Sequence, residues 1–137
     1  MKMKILISFL FFSAFFCSCK KYVQQQEQNA LVNLITNGKW IVTRYIEDTT
    51  NITSSFSGYV FQFYSNWTVT GTNGGTVVNG TWSGDFTTKT ITSNFPTAGD
   101  PVAKLNAVWT ITDSYTDSVA AKATIDSSNN ILNLHKQ

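Results

Sequence analysis

Short runs of alternating apolar and polar residues, punctuated by turn residues, predict an all-β chain. The expected form is an eight-stranded antiparallel up-and-down β-barrel with a short N-terminal helix. Three observations carry that expectation. Runs such as Tyr59-Val60-Phe61-Gln62-Phe63 place large side chains at alternate positions, on one face of a strand. Turn residues recur between the runs, as at Gly74-Gly75. Both prolines, Pro96 and Pro101, fall in one connection, where no sheet hydrogen bond is lost to them.

The chain opens Met1-Lys2-Met3-Lys4 and then runs apolar from Ile5 to Phe16, interrupted by Ser8 and Ser13. A membrane-spanning helix needs about 20 apolar residues, so this shorter stretch reads as a secretory leader over residues 1–18. It ends in Phe16-Cys17-Ser18-Cys19, which holds the only two cysteines of the chain. That ending resembles the lipobox of bacterial lipoproteins, in which a small residue precedes a cysteine that is acylated and becomes the mature N-terminus. Ser18 before Cys19 fits the pattern; the bulky Phe16 before Cys17 does not. Phe16 also stands where the lipobox usually has Leu. The resemblance implies a lipid on Cys19, loss of Cys17 with the leader, and no disulfide. It also implies residence in the cell envelope, at the outer membrane. The competing reading is a plain signal peptide or a buried apolar segment.

Residues 19–30 then form the lipidated cysteine and a polar, Gln-rich tether, and residues 31–137 form the folded domain. Leu31, Leu34 and Ile35 share one face of a short helix, stopped at Asn37-Gly38. Strands are expected over 39–47, 59–65, 67–73, 76–83, 86–93, 107–113, 117–125 and 130–136. Gly74-Gly75 and Asn129-Asn130 are the expected hairpin turns, with long connections at 48–58 and 94–106. The inward set by alternation is apolar and aromatic: Tyr59, Phe61, Phe63, Trp67, Val69, Val78, Trp82, Trp109, Ile111, Val119, Ala121, Leu132 and Leu134. The first strand is less clean, because Trp40, Val42 and Ile46 share a face with Arg44, as an interior cation or one beyond the rim.

At this point the order of motifs resembles the lipocalin-like domain lipoproteins of Gram-negative bacteria. Gly38-Lys39-Trp40 is similar to the Gly-x-Trp of the first lipocalin strand. Tyr59 to Phe63 is similar to the second strand and Gly80-Thr81-Trp82 to the fourth; Trp109 follows a long loop. Two departures stand out. Asn66-Trp67 occupies the turn where Gly is usual, and the late-strand Arg that covers the first-strand Trp has no sure equivalent, Lys136 and Arg44 being the candidates. The resemblance implies a small barrel whose interior holds side chains or one small ligand.

Composition narrows the function classes. Lys plus Arg number 10 and Asp plus Glu 8, and removing Lys2 and Lys4 with the leader leaves equal numbers of each sign. Charged residues make up 13% and form no basic cluster, which excludes a nucleic-acid surface. His135 is the single histidine, with no free thiol near it in a mature chain, so no ordinary zinc site and no catalytic triad are expected. Glu47 and Asp48 are neighbours on a strand end and point apart. No cofactor and no enzyme activity are expected. Asn51, Asn66 and Asn79 head Asn-x-Thr triplets, and Asp117-Ser118-Val119 resembles an O-glycosylation pattern.

The candidate site is therefore the interior: Trp40, Tyr59, Phe61, Phe63, Trp67, Trp82 and Trp109 as pocket wall or as core. The expected partners are the membrane, through the lipid, and either a small hydrophobic ligand inside the barrel or a protein partner outside it. Small barrels of the resembled group include protease inhibitors that use their N-terminal segment, which makes the tether the active part in that second reading.

Overall fold

The computed structural model describes residues 13–137, with side chains from Lys20 onward. Most of the leader expected over 1–18, and the side chain of Cys19, lie outside the described residues. Helix α1 (Ser13–Thr36) precedes nine strands: β1 (Trp40–Glu47), β2 (Thr50–Asn51), β3 (Tyr59–Phe63), β4 (Thr68–Asn73), β5 (Thr76–Asp85), β6 (Thr90–Asn94), β7 (Ala107–Ser114), β8 (Ser118–Ile125) and β9 (Ser128–Lys136). From β3 to β9 each strand pairs antiparallel with the next, and β1 pairs with both β3 and β9. Eight strands thus close into an antiparallel barrel, while the two-residue β2 folds back on the end of β1. Closure pairs the two edge strands of the sheet along the long β1–β9 ladder, and joins the β1–β3 seam at Trp40 and Phe61.

The helix is longer than the periodicity predicts. Residues 20–30, expected as a tether, continue it, because Lys-Lys-Tyr-Val-Gln-Gln-Gln-Glu-Gln-Asn-Ala contains neither Gly nor Pro and is rich in helix-favouring side chains. Its last turns lie across one end of the barrel, with Leu31 and Ile35 buried in the core. Gly38 then takes φ 101°, a conformation open to glycine, and releases the chain into β1. Trp40 Nε1 donates to the Ile35 carbonyl (2.9 Å), so the first strand residue is tied to the helix it follows. Lys136 sits over the Trp40 ring at 5.2 Å, filling the place for which Arg44 and Lys136 were candidates.

Arg44 itself is exposed, and a bulge explains why. Val42 pairs with Leu134 but Arg44 with Asn133, so Thr43 is the extra residue and the alternation flips. Tyr45, not Arg44, therefore points inward. A second bulge, at Thr112 in β7, falls on the same level of the sheet: Ile111 pairs with Ala121 and Asp113 with Ala120. Two further expectations shift. The strand expected over 86–93 begins only at Thr90, because the Asp85 carboxylate accepts from the Thr87 and Thr88 amides and turns the chain. The last hairpin turns at Asp126-Ser127, both with positive φ, rather than at Asn129-Asn130.

The turns β3–β4, β5–β6 and β7–β8 share the end closed by α1. The opposite end carries the β4–β5 and β8–β9 turns and the two long connections. Those connections close it with Phe56, from a 3-10 turn over Thr53–Phe56, and with Val102 and Leu105, from a second over Val102–Leu105. Phe56 stacks on Tyr45 at 5.2 Å, and Phe95 meets the Phe61 edge at 6.1 Å.

Candidate functional site

The structure brings six of the seven expected aromatic residues into one core. Trp40, Phe61, Phe63, Trp82 and Trp109 are buried, and Tyr59 packs against them with its ring 6.0 Å from that of Phe61. The buried indoles are also satisfied as donors: Trp82 Nε1 to the Tyr64 carbonyl at 2.9 Å, Trp109 Nε1 to the Leu105 carbonyl at 3.0 Å. Trp67 is the exception. It lies in the β3–β4 turn before β4 begins, at φ 68° and 44% exposed, with its ring 5.0 Å from that of Trp82. Alternation fails there because the residue is not in a strand.

What remains empty inside is a cavity of about 40 Å³, lined by apolar side chains including Ile35, Phe61, Phe95, Leu105, Trp109 and Leu132. Small-molecule sites run to roughly 300–1,000 Å³. The single polar group on that wall, Ser93 Oγ, donates to the Leu105 carbonyl and is spent on holding the far-end cap. Phe56, Phe95, Val102 and Leu105 complete this interior from the long connections. Sequence reasoning missed them because it treated those connections as loops, although Phe95, Val102 and Leu105 are large apolar residues among turn formers.

A larger hollow, about 250 Å³, lies on the outer wall beside the two bulges, lined by Thr43, Asp113, Tyr115, Ala120, Asn133 and His135 among others. Two carboxylates elsewhere serve the fold. Glu47 pairs with Lys104 (2.9 Å), while Asp48 accepts from the Asn129 amide and the Ser128 hydroxyl (2.8 Å each). Those two hydrogen bonds hold the Asp48 carboxyl below its usual range, and the Glu47 contact raises Lys104. His135 Nε2 stands 3.6 Å from Asp117 at the surface. Two of the Asn-x-Thr triplets have a structural use. Asn51 and Asn66 each accept from the backbone amide and the hydroxyl of the Thr two residues on, pinning a turn.

No protein-family model matches the chain, and no curated protein matches its sequence. Among solved structures, the crystal structure of a DUF4847 family protein from Bacteroides vulgatus ATCC 8482 superposes with a TM-score of 0.56. The match covers 78% of this chain and 99% of that one at 13% sequence identity, so the likeness is one of fold.

Proposed function

We propose that this chain is a non-enzymatic envelope module, anchored to the outer membrane through a lipid on Cys19, that acts through its outer surface while its barrel interior serves as core. The observation that carries this reading is the interior volume. A void of about 40 Å³ holds at most a few water molecules and no apolar metabolite. Both barrel ends are closed by buried side chains, Ile35 and Leu31 at one and Phe56, Val102 and Leu105 at the other. The larger hollow is on the outside.

The structure also changes which part of the N-terminal segment a partner would use. Leu31 and Ile35 belong to the core, so deleting residues 20–36 would open the barrel rather than remove a binding arm. The separable part is residues 20–27, before Gln28 engages β5 and the turn after it.

Carriage of a small apolar ligand is the second reading, favoured by the wall of the residual cavity, apolar except for Ser93. It requires the far-end cap of Phe95 and Leu105 to swing out. Native mass spectrometry of the chain purified from its own envelope separates the two. The expected spectrum is the bare protein mass, apart from the covalent lipid, before and after incubation with envelope lipids. Added mass that leaves on denaturation would establish a carrier instead.

A further inference from the structure

The helix end of the barrel differs in chemistry from the far end. Around its rim stand Tyr64 and Trp67 in the β3–β4 turn, 38% and 44% exposed, and Tyr115 in the β7–β8 turn, 63% exposed. Tyr22, on the helix that leads to this end, is 67% exposed. Lys39, Lys89 and Lys136 belong to the same end, and Lys20 and Lys21 to the helix. The acids there, among the described residues, are Glu27 on the same helix, Asp85, held by turn amides, Asp113, and Asp117 beside His135. Among the described residues, the far end carries Glu47, Asp48, Asp100 and Asp126 against Lys104, with Lys122 on the wall of β8 just short of it. The molecule is thus acidic at one end, and aromatic with lysine at the other.

Trp67 gives the rim its sharpest feature. Its φ of 68° suits glycine and strains a tryptophan. The turn is held in that shape from every side: Trp67 N donates to the Tyr64 carbonyl (3.0 Å), Trp82 N to the Trp67 carbonyl (3.0 Å), and Thr68 N to Asn66 Oδ1 (3.2 Å). A strained backbone there presents half an indole to the outside, next to half-exposed Tyr64. Tyr and Trp rings combined with lysines are the composition that settles at the head-group level of a bilayer. Anionic lipid favours the lysine end over the acidic one.

We propose that the helix end is a lipid-facing surface: Trp67, Tyr64 and Tyr115 rest in the head-group region of an anionic bilayer, with Lys39 and Lys89 at the phosphates. This rests on the anchored reading for its biological setting and fixes the orientation, holding the acidic end and its loops away from the membrane.

The test supplies the tether chemically, so it does not depend on whether the cell acylates Cys19. The chain from Cys19 onward contains all nine strands and the helical turns that close the barrel, and its only thiol is Cys19. That thiol is coupled to maleimide lipid in vesicles of phosphatidylethanolamine and phosphatidylglycerol, with and without brominated acyl chains. Trp40, Trp82 and Trp109 are buried, so tryptophan emission that responds to lipid reports Trp67. The expected result is a blue shift and quenching by brominated lipid, both lost in Trp67→Phe. Lys39→Glu with Lys89→Glu should weaken the quenching, and so should vesicles of phosphatidylcholine alone. Without the tether, partitioning of the chain from Lys20 should fall about tenfold in Tyr115→Ser, a variant that leaves the Trp67–Trp82 contact intact. Unchanged Trp67 emission on tethered anionic vesicles overturns the proposal, and so does quenching that persists in Trp67→Phe. The anchored reading fails separately, if the envelope-extracted protein lacks the mass of an acylated Cys19.

Discussion

Tyr45 shows how a single side chain couples the barrel wall to its cap. Its hydroxyl donates to the Lys104 carbonyl (2.8 Å), and burial, reinforced by Glu47 and Asp100, pushes its pKa up to about 12. The folded state therefore favours the neutral phenol. That contribution is fully present below the ordinary tyrosine pKa of about 10 and is lost as pH rises toward 12. Tyr45→Phe should cost about 1–2 kcal/mol in urea unfolding near neutral pH. The difference from the parent should shrink between pH 10 and 12; a penalty that stays constant across that range would show that the phenol does not titrate with folding. Gly80 tests close packing at the same scale. A Cβ there would stand 2.5 Å from the Asn94 carbonyl oxygen and 2.7 Å from Phe95 Cδ1, so Gly80→Ala should destabilise by about 1–3 kcal/mol. An unchanged urea midpoint would mean that the Asn94–Phe95 backbone yields as well as the Phe95 ring, and movement of that segment is also what opening of the far-end cap requires.

At the scale of elements, helix α1 is the piece whose extent the sequence hid. Leu31 and Ile35 are spaced to mark an inward face, and the run before them permits a helix, having neither Gly nor Pro. Without an apolar stripe, propensity alone does not separate a tether from a helix whose early turns are solvated. What fixes the helix is tertiary. Gln28 Nε2 donates to the Gly84 carbonyl (2.7 Å) and its Oε1 accepts from the Phe86 amide (2.9 Å), occupying backbone groups where β5 leaves the sheet. Gln28→Ala should cost about 1–2 kcal/mol and raise amide exchange at Phe86, whereas Gln25→Ala, on the exposed side, should do neither. The strands were legible for the opposite reason: a half-buried strand writes its two faces into alternate residues. Legibility failed where a local event broke that count. The Thr43 bulge exchanged Arg44 for Tyr45, the Asp85 turn delayed β6, and Trp67 left the strand altogether. The aromatic set was readable as interior, but whether it enclosed a pocket was not, because the residues that fill the space, Phe95 and Leu105, come from a connection whose fold no alternation encodes.

For the whole molecule, the distance between a filled barrel and an open one is a few side chains. The residual void of about 40 Å³ carries a cost of roughly 1 kcal/mol at the usual penalty per unit of cavity volume, which a domain stable by about 5–15 kcal/mol tolerates. Leu132 lines that void and sits at mid-barrel, paired with Tyr45 on one side and Ala121 on the other. Leu132→Ala should cost about 2–5 kcal/mol and join the vacated space to the existing cavity, whose wall is already apolar. A dry apolar cavity of that kind takes up xenon or benzene. Either probe should then raise the Tm of Leu132→Ala, by mass action on the folded state, while leaving the parent unmoved. A parent protein that is itself stabilised by benzene would show its caps opening in solution, and would return the interior to the role of a ligand site. A variant stabilised while the parent is not would place the absence of a site in packing alone, the same barrel wall having been kept and one side chain removed.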